Sequence, residues 1–202
     1  MRSLKICLLA LVLMTGKANA EANNVYSNHT VGFNITKPSS WFFASEEDNQ
    51  KTQAEIMKQY KVSDEAFKRY AQGPIVTLTK YPKPYSGLNP EIKVSVRPLN
   101  EFSANNPVGI LNVAIPGMSK AVKSFKVLEG PKETTVDGMK AAYMTTEVAA
   151  NIGGKKLLSY SQIWVIPRGK MFFRITTSIS PEEKNTSKKE MAAILATIKI
   201  TK

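Results

Sequence analysis

Nucleophilic catalysis of the Ser-His-Asp kind needs an imidazole that passes protons near neutral pH and a carboxylate that orients it. The 202-residue chain contains one histidine, His29, and one cysteine, Cys7. His29 reads as a partly exposed side chain at a strand edge. Cys7 heads an N-terminal apolar run that export is expected to remove, so the mature chain has no thiolate, disulfide or cysteine ligand. Lysines are abundant, yet no S-x-x-K occurs; Ser119-Lys120 and Ser187-Lys188 are adjacent pairs. Glu46-Glu47-Asp48 and Glu182-Glu183 are the acidic clusters. Glycoside hydrolysis would set two such acids roughly 5–10 Å apart across a cleft. Both clusters fall in the first turn of an expected helix, where the helix dipole also accounts for them. A carboxylate-dependent extracellular hydrolase is therefore kept as an alternative. Transition metals want several His or Cys ligands, calcium loops want regularly spaced oxygens, and Gly153-Gly154-Lys155-Lys156 lacks phosphate-loop spacing. No catalytic, cofactor-binding or metal-ligating residue is assigned, and the expectation is a non-enzyme.

Charge is the next resource. Lys and Arg number 28 against 16 acidic residues, a formal net charge of +12. Lys120, Lys123 and Lys126 form one basic cluster, with Lys120 and Lys123 a helical turn apart. Lys184, Lys188 and Lys189 form another, and Lys58, Lys61, Lys68 and Arg69 a third. Such faces suit anionic lipid or polysaccharide, or are simply solvated. Nucleic acid would want stacking aromatics among the cations, and export argues against it. The loop from 82 to 90, with Tyr81, Lys83 and Tyr85, offers a contact surface, because exposed tyrosines give area at little ordering cost.

The elements that must position these residues follow. Residues 1–20 have a charged start (Arg2, Lys5), an apolar run from Ile6 to Met14 and a small-x-small end at Ala18-Asn19-Ala20. That is the secretory leader pattern, with cleavage expected after Ala20 and a periplasmic or secreted product. The run is too short for the roughly 20 residues that cross a bilayer. Residues 21–202 are expected to form a single domain. A half-buried strand is expected from Val25 to Ile35, and a second begins at Trp41-Phe42-Phe43. Helices are expected after Ser45 and from Asp64 to Ala71. Strands follow at Ile75–Tyr81 and Glu91–Pro98, then a helix capped by Asn106 with Pro107 in its first turn, interrupted at Pro116-Gly117. The second half reads as a meander: Val127–Thr135, an Asp137-Gly138 turn, Met139–Val148, a turn over Asn151–Gly154, Leu157–Ile166 and Met171–Ile179. Ser180-Pro181-Glu182-Glu183 should open a helix, and Ile198–Thr201 closes the chain as a strand. The class is α+β, an antiparallel sheet with helices packed on it.

Three segments carry a likeness: "VGFNITKPSSW", "TTVDGMKAAYMTTE" and "FFRITTSISPEEKNTSKKEMAAILATIKI". Their order of strand, proline turn, DG hairpin, long strand, helix and closing strand resembles the PsbP-like superfamily, which includes the DcrB-like bacterial proteins. The resemblance implies an α-β-α sandwich, with helices on both sides of the sheet. It also implies a non-catalytic accessory or binding role for an exported protein. The partner would be another envelope or secreted protein, or an anionic surface. Neither nucleic acid nor an integral membrane position is expected.

Overall fold

The computed structural model describes residues 24–45, 47, 73–82, 84–152 and 155–201. The leader over 1–20, Lys83, the third basic cluster and, apart from Ser45 and Glu47, the two helices expected before Gly73 lie outside the described residues.

The expected strand from Val25 to Ile35 is instead a hairpin of β1 (Val25–Asn28) and β2 (Phe33–Thr36). The alternation of Val31, Phe33 and Ile35 hid a turn. Asn28 Oδ1 accepts from the Val31 amide at 3.2 Å, and Gly32 supplies the positive φ of 63° that closes it. His29 lies exposed in that turn. The closing strand β10 (Lys199–Ile200) pairs with the other side of β2, so a small three-stranded sheet stands apart where one sheet was expected.

The larger sheet is antiparallel throughout. Its strands are β3 (Phe42–Phe43), β4 (Val76–Thr79), β5 (Glu91–Pro98), β6 (Lys126–Val136), β7 (Met139–Ile152), β8 (Lys155–Arg168) and β9 (Met171–Ile179). Their spatial order is β3-β4-β5-β9-β8-β7-β6. The Asp137-Gly138 turn forms as expected: both residues have positive φ, 48° and 73°, as a two-residue hairpin of the I′ kind requires. Where a turn was expected to begin at Asn151, the pairing of β7 with β8 continues to Ile152↔Lys155.

Helix α1 (Pro107–Ala121) begins as its residues dictate, with Asn106 Oδ1 accepting from the Gly109 amide at 2.9 Å. It is not interrupted at Pro116. Pro116 and Asn112, four residues earlier, are both exposed, so water can take the carbonyl that proline leaves unpaired. The helix stops at Ala121 because Val122 is extended. Helix α2 (Lys184–Leu195) starts later than expected. Glu183 occupies its N-cap without a side-chain capping bond, and 181–183 form a preceding turn.

Two apolar clusters fill the fold. Phe33, Ile35, Trp41, Ile166 and Phe173 pack with Met191 and Ile194 of α2. Val165, Phe172, Ala142 and Met144 pack with Ile110 and Leu111 of α1. Neighbours along a strand face opposite ways, so Phe172 and Phe173 serve different clusters, as do Val165 and Ile166. The fold is thus α+β and mostly antiparallel. Among the described residues two helices stand where the resemblance implies helical layers, and the three-stranded sheet shares the first cluster with α2.

Candidate functional site

Lys80 follows β4, and its position is set by backbone pairing of its amide to the Pro90 carbonyl at 2.9 Å. Beyond it, Asn89 grips Tyr81 from both sides: its Oδ1 accepts from the Tyr81 amide at 3.1 Å, and its Nδ2 donates to the Tyr81 carbonyl at 2.8 Å. The base of the 82–90 loop is therefore fixed. Across the gap stand Glu183 at the N-cap of α2 and Ser187 and Glu190 within it, four and seven residues further on and so on one helical face.

These residues close on Lys80. Its ammonium lies 3.4 Å from Glu183 Oε2, 3.1 Å from Ser187 Oγ and 3.3 Å from Glu190 Oε2. The Tyr81 hydroxyl donates to Glu183 Oε1, and the Ser187 hydroxyl donates to Glu183 Oε2 at 2.6 Å. Beneath, the indole N–H of fully buried Trp41 donates to Glu190 Oε2 at 3.0 Å. Tyr85 stacks on Tyr81, with ring centroids 4.8 Å apart and planes within 10°.

The electrostatics define what this cluster can do. Bonds from Ser187 and Tyr81 hold the Glu183 carboxyl below the usual carboxylate range. The same bond to Glu183, with burial, raises the Tyr81 phenol. Burial draws the Lys80 ammonium down, but the bond to Glu190 and the charges of Glu183 and Glu190 together more than offset it, so the net shift is upward. A general acid at neutral pH needs a raised carboxyl, and a lysine base needs a lowered amine. Glu183 and Lys80 move in the opposite senses. The cluster is an ionic clamp that fixes the loop to α2, and it lends the hydrolase alternative no acid–base pair.

The expected contact residues separate in space. Tyr81 and Tyr85 come together; Lys83 lies outside the described residues. Lys120 is exposed in the last turn of α1, and Lys123 lies past the helix end, so the two do not share a helical face. Lys126 opens β6 and pairs with Glu147 at 3.5 Å. β4 and β6 are five strand steps apart in the sheet order, roughly 24 Å at the usual spacing. One surface does not contain both sets. Lys80, Ser187, Glu190 and Trp41 were missed as partners of this site. The one sequence signal was the helical spacing of Glu183, Ser187 and Glu190, which does not say what meets them. Phe172 packs in the α1 cluster, whereas Phe42, which opens β3, is 42% exposed.

Among the described residues no helix is long and apolar enough to cross a membrane. No protein-family model and no curated protein sequence matches the chain. Solved structures do match its shape. Cyanobacterial PsbP (CyanoP) from Synechocystis sp. PCC 6803 aligns over 88% of this chain and 91% of its own, at 11% identity and a TM-score of 0.55. LpqN, involved in cell envelope biogenesis of Mycobacterium tuberculosis, aligns over 84% of this chain and 83% of its own, at 17% identity and a TM-score of 0.53. At such identities the likeness speaks for architecture, and the architecture of this chain is the PsbP-like fold.

Proposed function

We propose that the chain is an exported, non-catalytic accessory protein, one domain over 21–202 after loss of its leader, that binds a protein partner in the envelope or outside the cell. The observation that carries this is the stacked Tyr81–Tyr85 pair, fastened through Glu183 and Lys80 to α2. A loop ordered in advance loses little freedom on binding, and Tyr85, 38% exposed, presents a flat amphipathic ring. The leader pattern of residues 1–20 supports export, and the envelope role of LpqN agrees with the setting. Lys120, Lys123 and Lys126, at the opposite edge, would serve a separate contact with an anionic surface.

The test is photocrosslinking from position 85 of the mature chain in envelope extract. One partner should be enriched over a charge-matched control, and competing with unlabelled Tyr85→Ser protein should leave that product intact, whereas unlabelled wild type removes it. No partner above the control would overturn the reading. Deleting residues 1–20 is expected to retain the protein inside the producing cell, checked by fractionation.

A further inference from the structure

Glu183, Ser187 and Glu190 turn one side of α2 toward Lys80. On the opposite stripe Lys184, Lys188, Ala192 and, at the C-cap, Ala196 recur every four residues. That stripe looks onto β8 and β7. There Trp164 is paired directly with Tyr143, Gln162 with Thr145, and Tyr160 with Glu147. Residues two apart along a strand point the same way, and Trp164 and Tyr160 pack against the first apolar cluster, so all six lie on the α2 face of the sheet. The trough between helix and sheet thus has a floor of aromatic rings and neutral polar groups. The Trp164 and Tyr143 rings are half-buried, with centroids 6.4 Å apart and planes at 30°. Gln162 and Thr145 come next, roughly 7 Å along the strands. The backbone amide of Gln162 donates to Thr177 Oγ1 at 3.1 Å, but its side-chain amide and the Trp164 indole N–H have no partner among the described residues. Both groups reach water. Beside Trp164 the trough deepens into a cavity of about 360 Å³, between Ala192, Leu195 and Ala196 and the β6–β7 turn. The short alanine side chains leave that space open. Toward the start of α2 the Lys184 ammonium lies 4.6 Å from the Tyr160 ring centroid.

The carboxylates around this trough are committed. Asp137, at the cavity rim, takes the Lys199 ammonium at 3.0 Å and the Ile200 amide at 2.8 Å. The Glu129 carboxyl is held low first by Lys132, 2.8 Å away, and in smaller part by the charge of Lys188. Glu147 pairs with Lys126. What is left for a guest is a flat apolar surface with a free amide and a hydroxyl beside it. That combination suits a molecule with a C–H face and a rim of hydroxyls. We propose that this trough binds a neutral saccharide, one pyranose ring lying on Trp164 and Tyr143 with its hydroxyls bonded to Gln162 and Thr145. Trp and Tyr give an apolar body with a polar tip, and a planar glutamine amide both donates and accepts. This site is on the opposite side of α2 from the Tyr81 clamp and stands or falls independently of the Tyr85 contact.

The chain has two tryptophans, and Trp41 is fully buried, so the two indole N–H signals separate the trough from the core. The experiment is a titration of the mature protein with neutral disaccharides of glucose, galactose, mannose and N-acetylglucosamine. The site is read from the indole N–H signals and the affinity from calorimetry. At least one disaccharide should shift the Trp164 signal to saturation and leave that of Trp41 in place. Added salt should leave its affinity unchanged, because no ion pair is exchanged. Gln162→Ala should weaken it about fivefold, and Trp164→Ala at least tenfold. The Gln162 side chain has no partner to lose, so its variant keeps the wild-type urea midpoint and decides the matter even where Trp164→Ala fails to fold. No shift with any disaccharide, an equal shift at Trp41, or unchanged affinity in Gln162→Ala would overturn the proposal. So would binding confined to sulfated or uronic-acid oligosaccharides and lost in salt, which would assign the surface to the lysines of α2.

Discussion

The two sides of the seven-stranded sheet both carry lysine–glutamate pairs, under opposite conditions. At the β4 side Lys80 is 13% exposed and sits between Glu183 at 3.4 Å and Glu190 at 3.3 Å, over buried Trp41. At the β6 edge Lys132–Glu129 and Lys140–Glu133 are shorter, 2.8 and 2.9 Å, but their side chains are 44–59% exposed. The shorter pairs are the weaker ones. Water screens them and two long side chains must be held still, whereas a partly desolvated network leaves its carboxylates stranded if the cation goes. The β6 pairs do a different job. Together with the register shifts near Glu129 and the exposed lysines, they make this long edge a poor template for another strand.

That contrast can be broken most severely at Trp41. Trp41→Ala removes a fully buried side chain and the donor to Glu190, and it is expected to cost about 3–5 kcal/mol, read from the urea midpoint. Next, Lys80→Met leaves Glu183 and Glu190 beside each other without their cation. A loss of about 1–2 kcal/mol is expected, after allowing for the water that still reaches the cluster. Acid sharpens the comparison. Glu183 titrates below its ordinary 4.5, so its stabilisation is complete above that pH and disappears as pH falls through the folded-state pKa. The stability gap between wild type and Glu183→Gln should be full at neutral pH and close in acid. Lys80 has the opposite sign: its net contribution holds below 10.5 and is lost as pH rises through the higher folded-state pKa. The smallest effect is expected at the β6 edge, where Lys132→Ala should leave the urea midpoint unmoved. A midpoint shift there equal to that of Lys80→Met would refute the contrast.

Much of the fold could be read locally. Met171, Phe173, Ile175 and Ile179 alternate as a strand with one buried face, and β9 spans the expected Met171–Ile179. Asn106-Pro107 opens α1, and Asp137-Gly138 turns β6 into β7. Local pattern misled where a side chain had a more distant partner or solvent rescue. Glu183 looked like a first-turn acid answering the helix dipole, but its carboxylate is taken by Tyr81, Lys80 and Ser187. Pro116 looked like a stop, but its turn of helix faces water.

The sequence by itself determined what depends on a few neighbouring residues: turns that need positive φ, a helix start that needs a capping oxygen, and strands whose side chains alternate. Only the tertiary structure decided which distant groups meet. Lys80 and Glu183 are 103 residues apart in the chain, and they touch because α2 packs beside the end of β4. The same sheet order puts Tyr81 and Lys126 near opposite edges. Strand order and burial are properties of the whole packed chain, set by many weak contacts at once, and no short window of residues contains them.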